Sequence, residues 1–230
     1  SALIVKLLTP TEGLLSARVP GAKSPTASLH FLSNPLTLAE VHIVPSRRGH
    51  MVQVVQATPL GSFSTLQESL PRLQTAELVL EIVEGASTEG LANPVLFLLT
   101  LDTLRQLELT PPEHLDLVLL AFVWQALDGL GAAPVLTRCI RTDSTEAGDF
   151  VVPLAAEGGF ACAAAAQSFP PGARVPIDVL HLLHRLAEEL AQHESLPPDF
   201  HAPLPLVHQT LAVMLHFVQY AIHPDLKPAR

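Results

Sequence analysis

Five cations stand close together in the first part of the chain: Lys6, Arg18, Lys23, Arg47 and Arg48. Ammonium and guanidinium groups at such spacing suit phosphate neutralisation. The same five side chains also suit ordinary solvated surface. Gly21-Ala22-Lys23-Ser24 superficially resembles the end of a phosphate-binding loop. That loop needs a glycine directly before the lysine and another upstream, so that the backbone can wrap a phosphate. Ala22 and the absent upstream glycine argue against nucleotide hydrolysis. Eleven histidines invite a metal or catalytic reading. His181 and His184 are three apart, and His208 and His216 share one predicted helix. The sequence holds no H-E-x-x-H and no G-x-S-x-G, so the histidines read as helix-surface or core-edge residues. Cys139 has no histidine near it in sequence, so it reads as a structural thiol rather than a nucleophile. No constellation for turnover emerges, and the chain reads as a non-enzyme.

The elements that must position these residues follow from composition. The chain has 230 residues and a formal net charge of −9, with 48% hydrophobic and 15% charged residues. That is too apolar for disorder and long enough for one or two domains with a real core. The charge is uneven: +3 over residues 1–66 and −12 over residues 67–230. A chain that coats DNA by bulk attraction is excluded, whereas a local basic patch is not. Two cysteines, Cys139 and Cys162, exclude a disulfide framework and fit a reducing compartment. No signal peptide is visible in Ser1–Pro10. Ala202–Pro224 lacks Asp, Glu, Lys and Arg, but its histidines, glutamines and prolines predict a buried helix rather than a bilayer span.

Residues 1–66 read as strands: Ala2–Leu8, Leu14–Val19, Leu36–Val44 and Met51–Ala57. Thr9–Gly13 carries turn chemistry, and Ser46-Arg47-Arg48-Gly49 reads as a hairpin turn. Short strands with regular turns suggest a small barrel. Residues 67–230 read as helices. Leu66–Glu84 carries apolar positions at Leu66, Leu70, Leu73, Leu78 and Ile82, with Gly85 as C-cap. Asn93-Pro94 opens a second helix, with Leu96, Leu104 and Leu107 on one face. Thr110-Pro111-Pro112-Glu113 reads as the capped start of a third, which continues through Leu115, Val118, Phe122, Leu127 and Leu130. Ile177–His193 and Leu204–His223 complete the set. Glu77, Glu81 and Glu84 read as a solvated acidic face.

Three ordered segments resemble the RecO family of DNA repair and recombination mediators. The first is Leu7-Leu8-Thr9-Pro10-Thr11-Glu12-Gly13 followed by Pro20-Gly21-Ala22-Lys23-Ser24. The second is Leu130-Gly131-Ala132-Ala133-Pro134 with Arg138-Cys139, then Gly158-Gly159-Phe160-Ala161-Cys162. The third is Phe217–Pro228, with Asp225-Leu226-Lys227 near its end. Two departures stand out. The chain opens about one strand late in the family's pattern, so the first strand is expected to be missing. The family's zinc insert is degraded as well. A closed structural site needs four ligands, and Thr142 and Ala165 occupy the second and fourth positions. Cys139 and Cys162 are then vestigial ligand positions, and no metal or other cofactor is expected.

The resemblance implies a mixed α+β chain. An N-terminal OB-fold β-barrel over residues 1–66 precedes an α-helical domain over 67–230, with a vestigial zinc-finger-like insert at 138–170. It further implies that Lys6, Arg18, Lys23, Arg47 and Arg48 contact DNA. Only Phe31 and Phe63 are aromatic in that segment, so binding would be phosphate-dominated, with little sequence preference. The implied partners are single- and double-stranded DNA, RecR, the C-terminal tail of the single-stranded-DNA-binding protein (SSB) and, indirectly, RecF and RecA. No membrane partner is implied, and the expected place is the bacterial cytoplasm, at the nucleoid. Arg105, Arg138, Arg141 and Arg185 are candidates to rim an apolar groove on the helical part. A rival reading is an OB-containing interaction subunit whose own DNA binding has lapsed.

Overall fold

The computed structural model describes residues 2–45, 51–166, 169–193 and 195–222. The chain divides into two compact units, residues 1–112 and 113–230. In the first, strands β1 (Ala2–Thr9), β2 (Gly13–Pro20), β3 (Thr37–Pro45) and β4 (Val52–Ser62) form one sheet in the order β1-β2-β4-β3. Helices α1 (Ser64–Gln67), α2 (Leu70–Ala86) and α3 (Pro94–Leu109) complete that unit. The predicted strands all form, and among the described residues they make an open sheet rather than a closed barrel. Among the described residues β1 pairs only with β2, and β3 only with β4, so both outer strands keep an open edge. The hairpin predicted at Ser46–Gly49 lies outside the described residues.

Alternation sets the sheet's inner face. Ala17, Val19 and Val54 are fully buried and pack with Ala22 and Leu32, while Leu3, Val5, Leu7 and Ile43 lean on the same cluster. Successive strand side chains point to opposite faces, so the even-numbered Ile4, Lys6 and Arg18 face outward, and all three are exposed. The register is pinned at the turn. Thr9 Oγ1 donates to the Gly13 carbonyl at 3.0 Å and accepts from the Glu12 N–H at 3.0 Å. Gly13 has φ +69°, and a Cβ there would stand 2.1 Å from the Leu91 carbonyl oxygen. The residues linking α2 to α3 thus lie directly on the start of β2. Gly90 N–H donates to the Leu14 carbonyl at 3.1 Å, and Ser16 N–H to Glu89 Oε1 at 3.0 Å.

The helices of this unit differ from expectation in three places. The single helix expected over Leu66–Glu84 is two, α1 and α2. Pro71 lacks an N–H, and its ring clashes with a preceding turn of helix, so a new helix starts there instead. Leu70, expected on the apolar face, is 67% exposed, while Ala76, Val79, Ile82 and Val83 are buried. Gly85 is not the C-cap, because α2 runs on to Ala86 and Ser87 ends it in extended backbone. Asn93 does cap α3, its side chain accepting from the Leu96 N–H at 3.0 Å. Thr110 closes α3 rather than opening the next helix. Its hydroxyl donates to the Gln106 carbonyl at 2.7 Å, and a short 3-10 turn, Pro112–His114, follows.

The second unit is built on α4 (Leu115–Gly129), α5 (Ile177–Gln192) and α6 (Leu204–Ile222). Leu120, Phe122, Leu127, Leu182, Leu183, Leu186 and Met214 are among its largest fully buried side chains. Phe217 packs on Phe160 with ring centroids 5.5 Å apart. A small sheet, β6-β5-β7, carries the insert: β5 (Phe150–Leu154), β6 (Gly159–Cys162) and β7 (Val175–Pro176). Among the described residues no helix is long and apolar enough to cross a membrane.

The close approach at Gly13 generates a prediction. Gly13→Ala adds both left-handed backbone strain and a clash with the Leu91 backbone. It should destabilise the first unit by about 3 kcal/mol. Chemical denaturation followed by circular dichroism measures this.

Candidate nucleic-acid interface

Two of the five predicted cations share the sheet's exposed face. Cross-strand register aligns Val44 with Gln53, Gln53 with Arg18, and Arg18 with Ile4, giving one row across all four strands. Lys6 lies opposite Ser16, two residues from Arg18 along β2, so the two cations are diagonal neighbours on that face. Their electrostatic states differ. Lys6 Nζ lies 3.9 Å from Glu84 Oε1, an ion pair exposed on both sides. Arg18 Nη1 donates to the neutral Gln53 Oε1 at 3.4 Å. Lys23 is exposed in the turn after β2, which Ser24 N–H closes on the Gly21 carbonyl at 2.8 Å. Arg47 and Arg48 lie outside the described residues.

Sequence reading missed the apolar members of this face. Ile4, Val44 and Val55 are 62%, 41% and 52% exposed. Ile4 was legible, since it is two residues from Lys6 and shares its side of the strand. Val55 was not. The register shifts between His42 and Ile43, pairing His42 with Gln56 and Ile43 with Val54, which leaves Val55 as the extra residue of a bulge. Exposed aliphatics beside cations offer bases an apolar surface without aromatic stacking.

A groove of about 810 Å³ also opens in this unit, where the edges of β1 and β3 face α2 and α3. Leu7, Leu8, Val41, Leu80 and Phe97 line it, and Glu12, Glu40 and Glu84 outnumber Lys6 around it. Its net charge is unfavourable for phosphate, and Lys6, paired with Glu84, borders both the groove and the exposed face.

The insert holds the other predicted positions. Cys139 and Cys162 come together, both buried. The Cys162 N–H donates to Cys139 Sγ at 3.2 Å, and Thr142 Oγ1 stands 3.5 Å from Cys162 Sγ. Ala165 packs with Phe150, Leu154 and Phe169 against Val152, Ala161 and Ala166. Two sulfurs, one hydroxyl and a methyl do not make a tetrahedral zinc shell. Among the described residues no third His, Cys, Asp or Glu joins them. The residues therefore do not fit a structural zinc, and apolar packing occupies the insert's centre.

The Cys139 thiol has a pKa lowered from the ordinary 9.0 to about 6. Burial is the largest influence and pushes it up. Hydrogen bonds from the Thr142 hydroxyl, the Cys162 and Arg141 backbone N–H groups and the Cys162 thiol together outweigh it. The candidate arginines each have a local partner. Arg105 pairs with Asp102 at 3.3 Å in the first unit. In the second, Arg138 pairs with Asp143, and Arg141 pairs with Glu157 and lies over the Phe169 ring. Arg185 stacks 4.9 Å over Phe200.

Comparison with known proteins matches both parts of the chain to paired family models. Residues 1–63 match the model described as Recombination protein O N terminal, and residues 67–223 the one described as Recombination protein O C terminal. An OB-type sheet followed by a helical unit is thus the architecture of a class of recombination proteins. The chain belongs to the RecO family. The DNA repair protein RecO of Exiguobacterium sp. is 31% identical over 163 residues, 70% of this chain and 62% of that protein. That of Pelotomaculum thermopropionicum is 32% identical over 146 residues, 63% of this chain and 55% of that protein. The Gloeobacter violaceus protein of the same name is 30% identical over 192 residues, 82% of this chain and 71% of that protein. The matched region spans only 62% and 55% of the first two relatives' length.

Two outcomes are expected at the insert. Elemental analysis of purified protein should find no stoichiometric zinc. Ultraviolet thiolate absorbance should titrate with a midpoint at pH about 6, and Cys139→Ser should abolish it. A thiol whose folded pKa lies below its unfolded value stabilises the fold above the unfolded pKa and loses that contribution as pH falls through the folded one. Denaturation midpoints should therefore rise between pH about 6 and 9.0.

Proposed function

We propose that the protein is a non-enzymatic mediator of DNA repair and recombination. It binds single- and double-stranded DNA on the exposed face of the first unit's sheet and brings complementary strands together. With RecR it helps load RecA onto strands covered by SSB. Membership of a family whose matched relatives are DNA repair proteins supports the class of role. The observation that carries the DNA reading is the shared face of Lys6 and Arg18, beside exposed Ile4 and Val44. Lys23, Arg47 and Arg48 extend the cationic surface in this reading. Two phosphate chains repel each other, and a cationic sheet that holds one lowers the barrier to the second. Residues 1–66 are the DNA-contacting part, residues 67–230 the protein-contacting part, and 138–170 a metal-free insert. The place of action is the bacterial cytoplasm, at the nucleoid.

The Lys6–Glu84 ion pair favours a second reading. A cation already paired is less available to phosphate, so the chain would act as an interaction subunit and leave DNA to RecR. A salt titration with a single-stranded oligonucleotide separates the two. Five phosphate contacts give a slope of about −3.5 in log K against log salt, at roughly −0.7 per contact. Arg18→Ala should flatten the slope by about 0.7 and cost more affinity than Lys6→Ala, because Lys6 is already paired with Glu84 whereas Arg18 donates to the neutral Gln53. A flat slope, with RecR binding intact after Arg47 and Arg48 become Ala, would establish the second reading instead.

A further inference from the structure

We infer that Cys139 and Cys162 form a peroxide-responsive pair that closes reversibly to an intramolecular disulfide. The inference is independent of the DNA reading. It starts from juxtaposition. The two residues lie 23 positions apart in sequence, yet the Cys162 backbone N–H donates to Cys139 Sγ at 3.2 Å. Ile140 N–H donates to the Phe160 carbonyl at 3.0 Å and Cys139 N–H to the Ser144 carbonyl at 2.7 Å. The Ile140–Phe160 backbone bond and the Cys162 N–H to Cys139 Sγ bond thus hold the loop bearing one cysteine against the strand bearing the other.

Buried cysteines are ordinarily inert. Two features of this site oppose that rule. Cys139 ionises near neutral pH under the hydrogen bonds described above, and the thiolate is the nucleophile. A cavity of about 20 Å³ has both cysteines on its wall, together with Leu136, Ser144, Val151 and Phe160. That volume holds roughly one water-sized molecule. Hydrogen peroxide is of comparable size, while bulkier oxidants such as glutathione disulfide are excluded.

The chemistry balances in two steps. The Cys139 thiolate attacks one peroxide oxygen. The O–O bond breaks, Cys139 becomes a sulfenic acid, and the leaving hydroxide takes up from solvent the proton that Cys139 lost on ionising, forming the first water. The Cys162 sulfur then attacks Cys139 Sγ, forming the S–S bond and breaking the S–O bond. The departing hydroxide takes the Cys162 proton as water. Both thiols are oxidised, and one peroxide is reduced to two waters. Cys139 is the attacking and Cys162 the resolving residue. A thiol reductant reverses the product by exchange.

The test exposes the full chain to hydrogen peroxide and follows it by thiol counting under denaturing conditions and peptide mapping. The expected result is loss of both thiols together and one peptide pair joined through Cys139 and Cys162, restored by reductant. Cys162→Ser should accumulate a sulfenic acid at Cys139 that dimedone traps. Cys139→Ser should leave Cys162 at least tenfold slower to react. Persistence of both thiols in the unsubstituted chain overturns the proposal, as do disulfides between chains or equal reactivity in the two variants. The peptide map of the unsubstituted chain decides the matter even where a serine variant fails to fold.

Discussion

The turn between β1 and β2 sets the register on which the first unit depends. A shift of one residue would send Ala17 and Val19 to solvent and Lys6 and Arg18 into the core. Thr9 and Gly13 prevent it. The threonine hydroxyl bonds both to the Gly13 carbonyl and to the Glu12 N–H, and the glycine takes a left-handed conformation against the Leu91 backbone. The same contact fastens the residues joining α2 to α3 onto β2. Placement of the cations and attachment of the helices therefore share one origin.

The insert shows how apolar packing can organise a small loop region. A zinc shell organises a small loop region by coordination, which contributes directly to folding. Here the same region is organised by a cluster of Cys139, Val152, Ala161, Cys162 and Ala166, ringed by Phe150, Leu154 and Phe169. Arg174 lies 4.7 Å over the Phe150 ring and covers that side of the cluster. Thr142 and Ala165 take part in this arrangement. The alanine packs, and the threonine hydroxyl stands within reach of sulfur.

Much of the fold was legible because its signals are local. Short apolar runs bounded by turn residues located all four strands of the first sheet, and Asn93-Pro94 marked the start of α3. Failures came where a local pattern had two uses. Thr110 is a good opening cap by type, but its hydroxyl closes the preceding helix. Leu70 sits at helical spacing from Leu66 and Leu73, yet Pro71 restarts the helix and turns it outward. Closure of the sheet was unreadable, because edge pairing is set by distant strands. The site divided in the same way. Strand parity places Lys6 and Arg18 on one face, whereas the Glu84 partner of Lys6 and the bulge at Val55 depend on long-range register.

The open edges of β1 and β3 carry a cost of their own. Unpaired strand edges template intermolecular pairing and so favour aggregation. Ile4 and Val44, exposed on those strands, add to the hazard. The chain carries countermeasures of the usual kinds. β3 is interrupted by two register shifts and ends in Pro45, and Pro59 sits in β4 near the first of them. Bulges and prolines spoil the straight, regular ladder that another chain would need. The features that distort this sheet also protect its solubility.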